Sequence, residues 1–102
     1  MPTRAQIQRL LDLEPNDPFM LYAMATDHAK EKEHKEAVTF FEKTIEADPD
    51  YCYAYFHMAR SLQALNRIEE AKIVLDHGLE AAVHTKDSKG ISEIKSYRTM
   101  LA

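Results

Sequence analysis

One regularity constrains this chain more than any other: residues of like size and polarity recur every 34 positions. Pro15 and Pro49 stand one such step apart, and the same step takes Met24 to Met58, Ala25 to Ala59, Glu36 to Glu70 and Ala37 to Ala71. Across three registers it takes Ile7 to Phe41 to Leu75, and Leu11 to Ile45 to Leu79. Chance supplies one or two such matches, but hardly a set this large. Pairing apolar or small positions with their like is what a core of stacked equivalent units requires.

Within each period the apolar spacing is helical. Leu21, Met24, Ala25 and His28 follow the i, i+3, i+4, i+7 pattern, as do Tyr55, Met58, Ala59 and Leu62. The second half of each unit reads Ala37, Phe40, Phe41, Thr44, Ile45 and then Ala71, Val74, Leu75, Gly78, Leu79. Each period therefore holds two antiparallel helices joined by a short turn. Only 2 Gly and 4 Pro occur in 102 residues, which argues against a turn-rich all-β chain.

The punctuation agrees with this division. Asp17 is placed to cap a helix that opens on Pro18, since a first-turn proline surrenders an amide that has no partner anyway. Asp48-Pro49 ends one helix and opens the next, because proline disfavours helical geometry in the residue before it. Thr3 with Gln6 fits a capping box. Asn66 sits at the turn inside the second unit, where a left-handed residue is often needed. Its counterpart in the first unit is Lys32, a poorer choice, so that turn is expected to be longer or strained.

These residues together resemble the tetratricopeptide repeat family, whose pattern runs large residue, Leu-Gly, Tyr, Ala-x3-Phe and a closing Pro. The first repeat matches with Leu21, Met24-Ala25, His28, Ala37, Phe41 and Pro49; the second with Tyr55, Met58-Ala59, Leu62, Ala71 and Leu75. Val83 stands where the second closing proline belongs, so that helix is expected to run on toward His84. The segment from Thr3 to Pro15 looks like the second half of a preceding repeat, with Ile7, Leu10, Leu11 and Leu13 turned inward.

The resemblance implies an all-α fold, a right-handed superhelix of antiparallel helix pairs with about six helices, in one domain spanning 1–102. The expected division is a half-repeat helix at 3–15, repeats at 17–50 and 51–84, and a C-terminal capping helix at 87–102. In that last helix Ile91, Ile94, Tyr97, Arg98 and Leu101 trace one face, with Asp87 or Ser88 as cap. Gly90 is expected to fray its first turn. Two full repeats are few for a stable stack, so either the flanking helices or a second copy must supply the missing burial.

In this family the first helix of each pair lines a concave face. Carried over by position, the groove residues are Phe19, Tyr22, Thr26, Ala29 and Lys30 in the first repeat. The second contributes Tyr53, Phe56, Arg60, Gln63 and Ala64, with His57 beside them. The competing reading is that these aromatics pack on neighbouring helices or on the tail, while Tyr55 and Phe41 belong to the core. A groove aromatic at one end and mildly basic further along suits a protein or peptide partner with apolar anchors and some acidic character. The members that grip chaperone C-termini use Lys and Asn at set positions; Tyr22, Thr26 and His57 stand there instead, so that specificity is not expected.

Charge and composition narrow the rest. A net charge of −4 and a pI near 5.7 suit neither nucleic acid nor an anionic membrane as the main partner. The segment Met1-Pro2-Thr3-Arg4-Ala5-Gln6 lacks the apolar core of a secretory signal, and no stretch has the apolar length of a membrane helix, so cytoplasmic residence is expected. A lone cysteine, Cys52, excludes an internal disulfide. It opens a helix, where thiols can be activated, yet an inert packed thiol is the expectation. The five histidines form no recognisable ligand set; His77 and His84, seven apart, are the nearest approach, and zinc needs three or four converging ligands. The mixed-sign run from Glu31 to Glu36 reads as a solvated connection. With no phosphate-cradling loop, nucleophile elbow or convincing carboxylate pair, the chain reads as a non-catalytic adaptor without cofactor or metal. The alternative is a self-associating structural unit, a homodimer joined through its terminal helical faces.

Overall fold

The computed structural model describes residues 2–101; Met1 and Ala102, the ends of the expected domain, lie outside them. Six helices follow one another among these residues: α1 (Arg4–Leu13), α2 (Pro18–Lys30), α3 (His34–Ala47), α4 (Cys52–Ala64), α5 (Ile68–His84) and α6 (Ser88–Met100). The starts are set by local chemistry. The Thr3 hydroxyl accepts from the Gln6 amide while the Gln6 side chain accepts from the Thr3 amide. The Asp17 carboxylate accepts from the amides of Phe19 and Met20, with Pro18 as first helical residue. Asp87 caps α6 through the Gly90 amide.

Three turns share one geometry. Lys32, Asn66 and Lys86 all have positive φ, at 62°, 61° and 58°. In each turn the left-handed residue donates to a carbonyl three residues back, and the next residue donates to one five back, as Lys32 to Ala29 and Glu33 to His28. These are paired Schellman bonds that satisfy the last carbonyls of a helix. The Lys32 turn is therefore no longer than the Asn66 turn; a lysine simply occupies the left-handed position.

Equivalent positions meet equivalent surroundings. Ala25 and Ala59, Ala37 and Ala71, and Phe41 and Leu75 are all fully buried. Small residues facing across each hairpin let the two helices approach, and the large residue one turn on fills the space beside them. The apolar interior is a relay of three clusters. Ile7, Leu11, Leu21 and Met24 join α1 to α2. Ala25, Ala37, Phe41 and Ala54 join α2, α3 and α4. Val38, Tyr55, Leu62, Leu75, Ile94 and Leu101 belong to the third, which joins α3 through α6. Each helix packs on its neighbours in the chain, and α2 with α4 and α4 with α6 also touch. The first helices thus form a row, α2–α4–α6, and α6 occupies the place of a third first helix.

Two further expectations need correction. Leu10 and Leu13 are exposed, by 46% and 79%, not turned inward. α1 has one neighbouring helix, so only the narrow strip bearing Ile7 and Leu11 finds cover. Gly90 does not loosen α6: it is buried, and its missing side chain lets Cys52 Sγ and the Asp87 carboxylate close over it. Among the described residues α6 runs Ser88–Met100 with Leu101 as its cap. With Val83 in place of proline, α5 does continue to His84 and is longer than α3 by almost one turn. No helix among the described residues is long and apolar enough to cross a membrane.

Candidate functional site

The face formed by the first helices holds two adjoining hollows. The larger, about 700 Å³, is lined by Thr26, Ala29 and Lys30 of α2, His34 and Phe41 of α3, and His57, Arg60, Ser61, Gln63 and Ala64 of α4. Among the described residues no carboxylate side chain lines it. The smaller, about 410 Å³, is lined by Pro2, Ile7, Phe19, Met20, Tyr22, Ala23, Thr26, Asp27, Lys30 and Tyr51. Thr26 and Lys30 belong to both, so the hollows are two parts of one groove.

An aromatic strip runs beneath them. Tyr22 stacks on Tyr51 at 4.8 Å and meets Phe41 and His57 edge-on at 5.9 Å and 6.0 Å. His57 stacks over Phe41 at 6.3 Å and meets Phe56 at 5.2 Å. Phe56 continues to Tyr97 of α6 at 5.4 Å. Burial holds the His57 ring below the ordinary imidazole value; Arg60 reinforces this and Glu93 opposes it. The ring is thus neutral near pH 7. Burial likewise pushes the Tyr22 phenol up to about 12, aided by Tyr51, Tyr53 and Cys52.

The cations are distributed unevenly. Arg4 pairs with Asp27 and Glu33, each at 2.7 Å, and Glu33 also meets His28 Nδ1 at 3.1 Å. Asp27 and Glu33 thus share one guanidinium that reaches them from α1. Lys30 and Arg60 have no carboxylate partner among the described residues, and both are exposed. A basic hollow thus stands open in a chain of net negative charge.

The expected groove residues separate into three groups. Thr26, Ala29, Lys30, His57, Arg60, Gln63 and Ala64 come together at the larger hollow, and Phe19 and Tyr22 at the smaller. Phe19 is 65% exposed rather than packed on α1. Tyr53 and Phe56 line neither hollow. They are partly buried against the third cluster, and Phe56 lies on Tyr97, whose hydroxyl donates to the Gln63 side-chain oxygen. α6 therefore walls one end of the groove. Residues that the sequence did not place in the groove join the lining, among them His34, which shares a hydrogen bond with the buried Ser61 hydroxyl at 3.2 Å, and Ile7, Met20 and Tyr51. No local pattern marks Tyr51 or His34; only hairpin stacking carries them to α2 and α4.

Elsewhere the polar groups are structural. Cys52 donates to Asp87 Oδ2 at 3.2 Å, and burial together with that carboxylate pushes its thiol up to about 11. His84 Nδ1 lies 2.9 Å from Asp50. No three metal-ligating side chains converge among the described residues.

Comparison with known proteins rests on the same helical pairs. The tetratricopeptide repeat family model matches residues 28–89, more than half of the chain. The chain belongs to the tetratricopeptide repeat family. A tetratricopeptide repeat domain protein from Salinibacter ruber, solved by NMR, is 32% identical over 85% of this chain and 88% of its own, with a TM-score of 0.79. The TPR2B domain of yeast Sti1 in its pHsp70 complex shares 21% identity over 96% of this chain and 78% of its own, at a TM-score of 0.90. The type III secretion translocator chaperone SycD of Yersinia enterocolitica shares 15% over 96% of this chain and 68% of its own, at 0.89. The last two show a common fold alone. Tetratricopeptide repeats commonly mediate protein–protein interaction and are in general non-catalytic.

Proposed function

We propose that this protein is a non-catalytic adaptor that binds a peptide or helix of a partner protein in the groove between α2 and α4. The observation that carries the reading is the 700 Å³ hollow holding Lys30, Arg60, His34 and His57 with no carboxylate on its wall. Unpaired cations beside half-buried aromatic rings supply both steering and contact area for a segment with acidic and apolar groups. Binding partners of the Sti1 domain and the Yersinia chaperone, both of this fold, are consistent with a groove used for protein segments.

Panning a random peptide-display library on the full chain tests this. Wild type is expected to enrich a peptide family that the Lys30→Ala/Arg60→Ala double variant, with unchanged helical content, fails to retain. Equal enrichment on both chains would retire the reading. Phe56 is a poor probe of the groove, because its ring also supports α6.

A second reading, self-association through the terminal faces, draws on the exposure of Leu10 and Leu13 along α1. A mass by light scattering that stays monomeric across concentrations would remove it.

A further inference from the structure

The two hollows differ in chemistry and share a wall, and that juxtaposition sets a register. We infer that the groove reads an extended segment carrying one aliphatic or aromatic side chain and, about four residues away on the same face of the strand, one side-chain carboxylate. The anchor enters the smaller hollow and the carboxylate lies on Lys30 and Arg60. This rests on the groove being a peptide site, and adds which subsite takes which group and at what separation.

The smaller hollow suits an apolar anchor. Ile7, Phe19, Met20, Ala23 and the stacked pair Tyr22–Tyr51 present carbon to its interior. The one acid on its wall, Asp27, is engaged at 2.7 Å by Arg4. Pro2 and Ile7 come from the α1 segment, so the half-repeat helix completes a binding pocket as well as the core. Phe19, exposed at the rim, costs solvation in the free chain and regains it when an anchor covers it.

The larger hollow suits a carboxylate. Lys30 and Arg60 are unpaired, and His57 beside them is kept neutral by its aromatic surroundings, so it accepts or donates a hydrogen bond without adding charge. The separation follows from α2 itself. Tyr22, which lines only the smaller hollow, and Lys30, on the wall shared with the larger, are eight positions apart, about 12 Å along a helix. An extended chain covers that span in about four residues, an even separation that keeps both side chains on one face. A helical ligand lying along α2 would need about eight, so the spacing distinguishes the two conformations.

NMR titration of the full chain with capped dodecapeptides tests the register. Each peptide is acetylated and amidated, built from Ser, Thr and Gly, and carries one Leu and one Glu at a separation varied across the series. Affinity is expected to peak at a separation of four, about fivefold above the odd separations on either side. Phe19→Ala should abolish the advantage of Leu, and Lys30→Ala that of Glu, both in chains of unchanged helicity. A peak near eight means a helical ligand and overturns the register while leaving the groove as the site; so does a flat series whose shifts still map to Lys30 and Arg60. Binding only when the peptide ends in a free carboxylate overturns the side-chain assignment. Concentration-dependent shifts at these residues without peptide identify a second copy as the occupant and overturn it. Failure of every peptide to move Lys30, Arg60 or Phe19 removes the groove reading itself.

Discussion

Cys52, the first residue of α4, donates its S–H to Asp87 Oδ2 at 3.2 Å, and the same carboxylate accepts from the Gly90 amide at 2.9 Å to cap α6. One side chain thus fastens the last helix both to its own first turn and to the previous repeat. The Gly90 amide, with the Cys52 hydrogen bond next in weight, holds Asp87 below the usual carboxylate range, while burial and Asp87 push Cys52 up to about 11.

Cys52 should therefore resist alkylation by iodoacetamide at pH 8, with its rate rising only toward pH 11. Asp87→Ala should cost about 1 kcal/mol through loss of the cap, and Asp87→Asn much less, because Asn also caps well. Urea midpoints check the pair. Equal losses in the two variants would show that the cap is not what matters.

Gly78 marks a close approach of α4 and α5. A Cβ there would fall 2.6 Å from Tyr55 Cβ, and Tyr55 is held in place by its hydroxyl, which donates to the Pro49 carbonyl at 2.7 Å. Gly78→Ala gains about 1 kcal/mol of helix propensity against an overpacking cost of about 1–3 kcal/mol. The expected outcome is a lower thermal midpoint. A midpoint above wild type would mean the hairpin has slack at this point.

The left-handed lysines invite the opposite change. Lys32 and Lys86 hold φ of 62° and 58°, where a side chain costs about 1 kcal/mol that glycine avoids. Lys32→Gly and Lys86→Gly should each raise the thermal midpoint by about 4–8 °C in a chain of this size. Calorimetry decides it, and a fall at both sites would contradict the turn geometry.

His57 makes stability depend on pH. Packed against Tyr22, Phe41 and Phe56, with Arg60 adding to the effect of burial and Glu93 opposing it, it binds a proton less readily folded than unfolded. Its contribution is therefore fully present above about pH 6.5 and is lost as pH falls from there toward the folded value. His57→Phe should flatten the decline in urea midpoint between about pH 7 and pH 5 relative to wild type. Parallel declines in the two chains would assign the effect to other groups.

Much of the architecture was written locally. The helix starts at Thr3, Asp17 and Asp87 follow from capping chemistry within three residues, and the burial of Ala25 with Ala59 and Ala37 with Ala71 follows from a period that side-chain size alone reveals. Such signals are short-range or repeat-based, so they survive without coordinates. Gly90 misled because its low helix propensity is visible in sequence while the Cys52 sulfur packed over it is not.

The amino-acid order determined that this chain makes stacked helical hairpins and which helix face each residue occupies, because periodicity and caps act along the chain. Tertiary structure alone decided how many neighbours each face meets. It left Leu10, Leu13 and Phe19 open where α1 and α2 run out of partners, drew Phe56 under Tyr97, and brought Tyr51 onto Tyr22 and His34 beside Ser61. A helical period fixes direction around an axis, whereas cover depends on which helices end up alongside, and only the assembled stack supplies that.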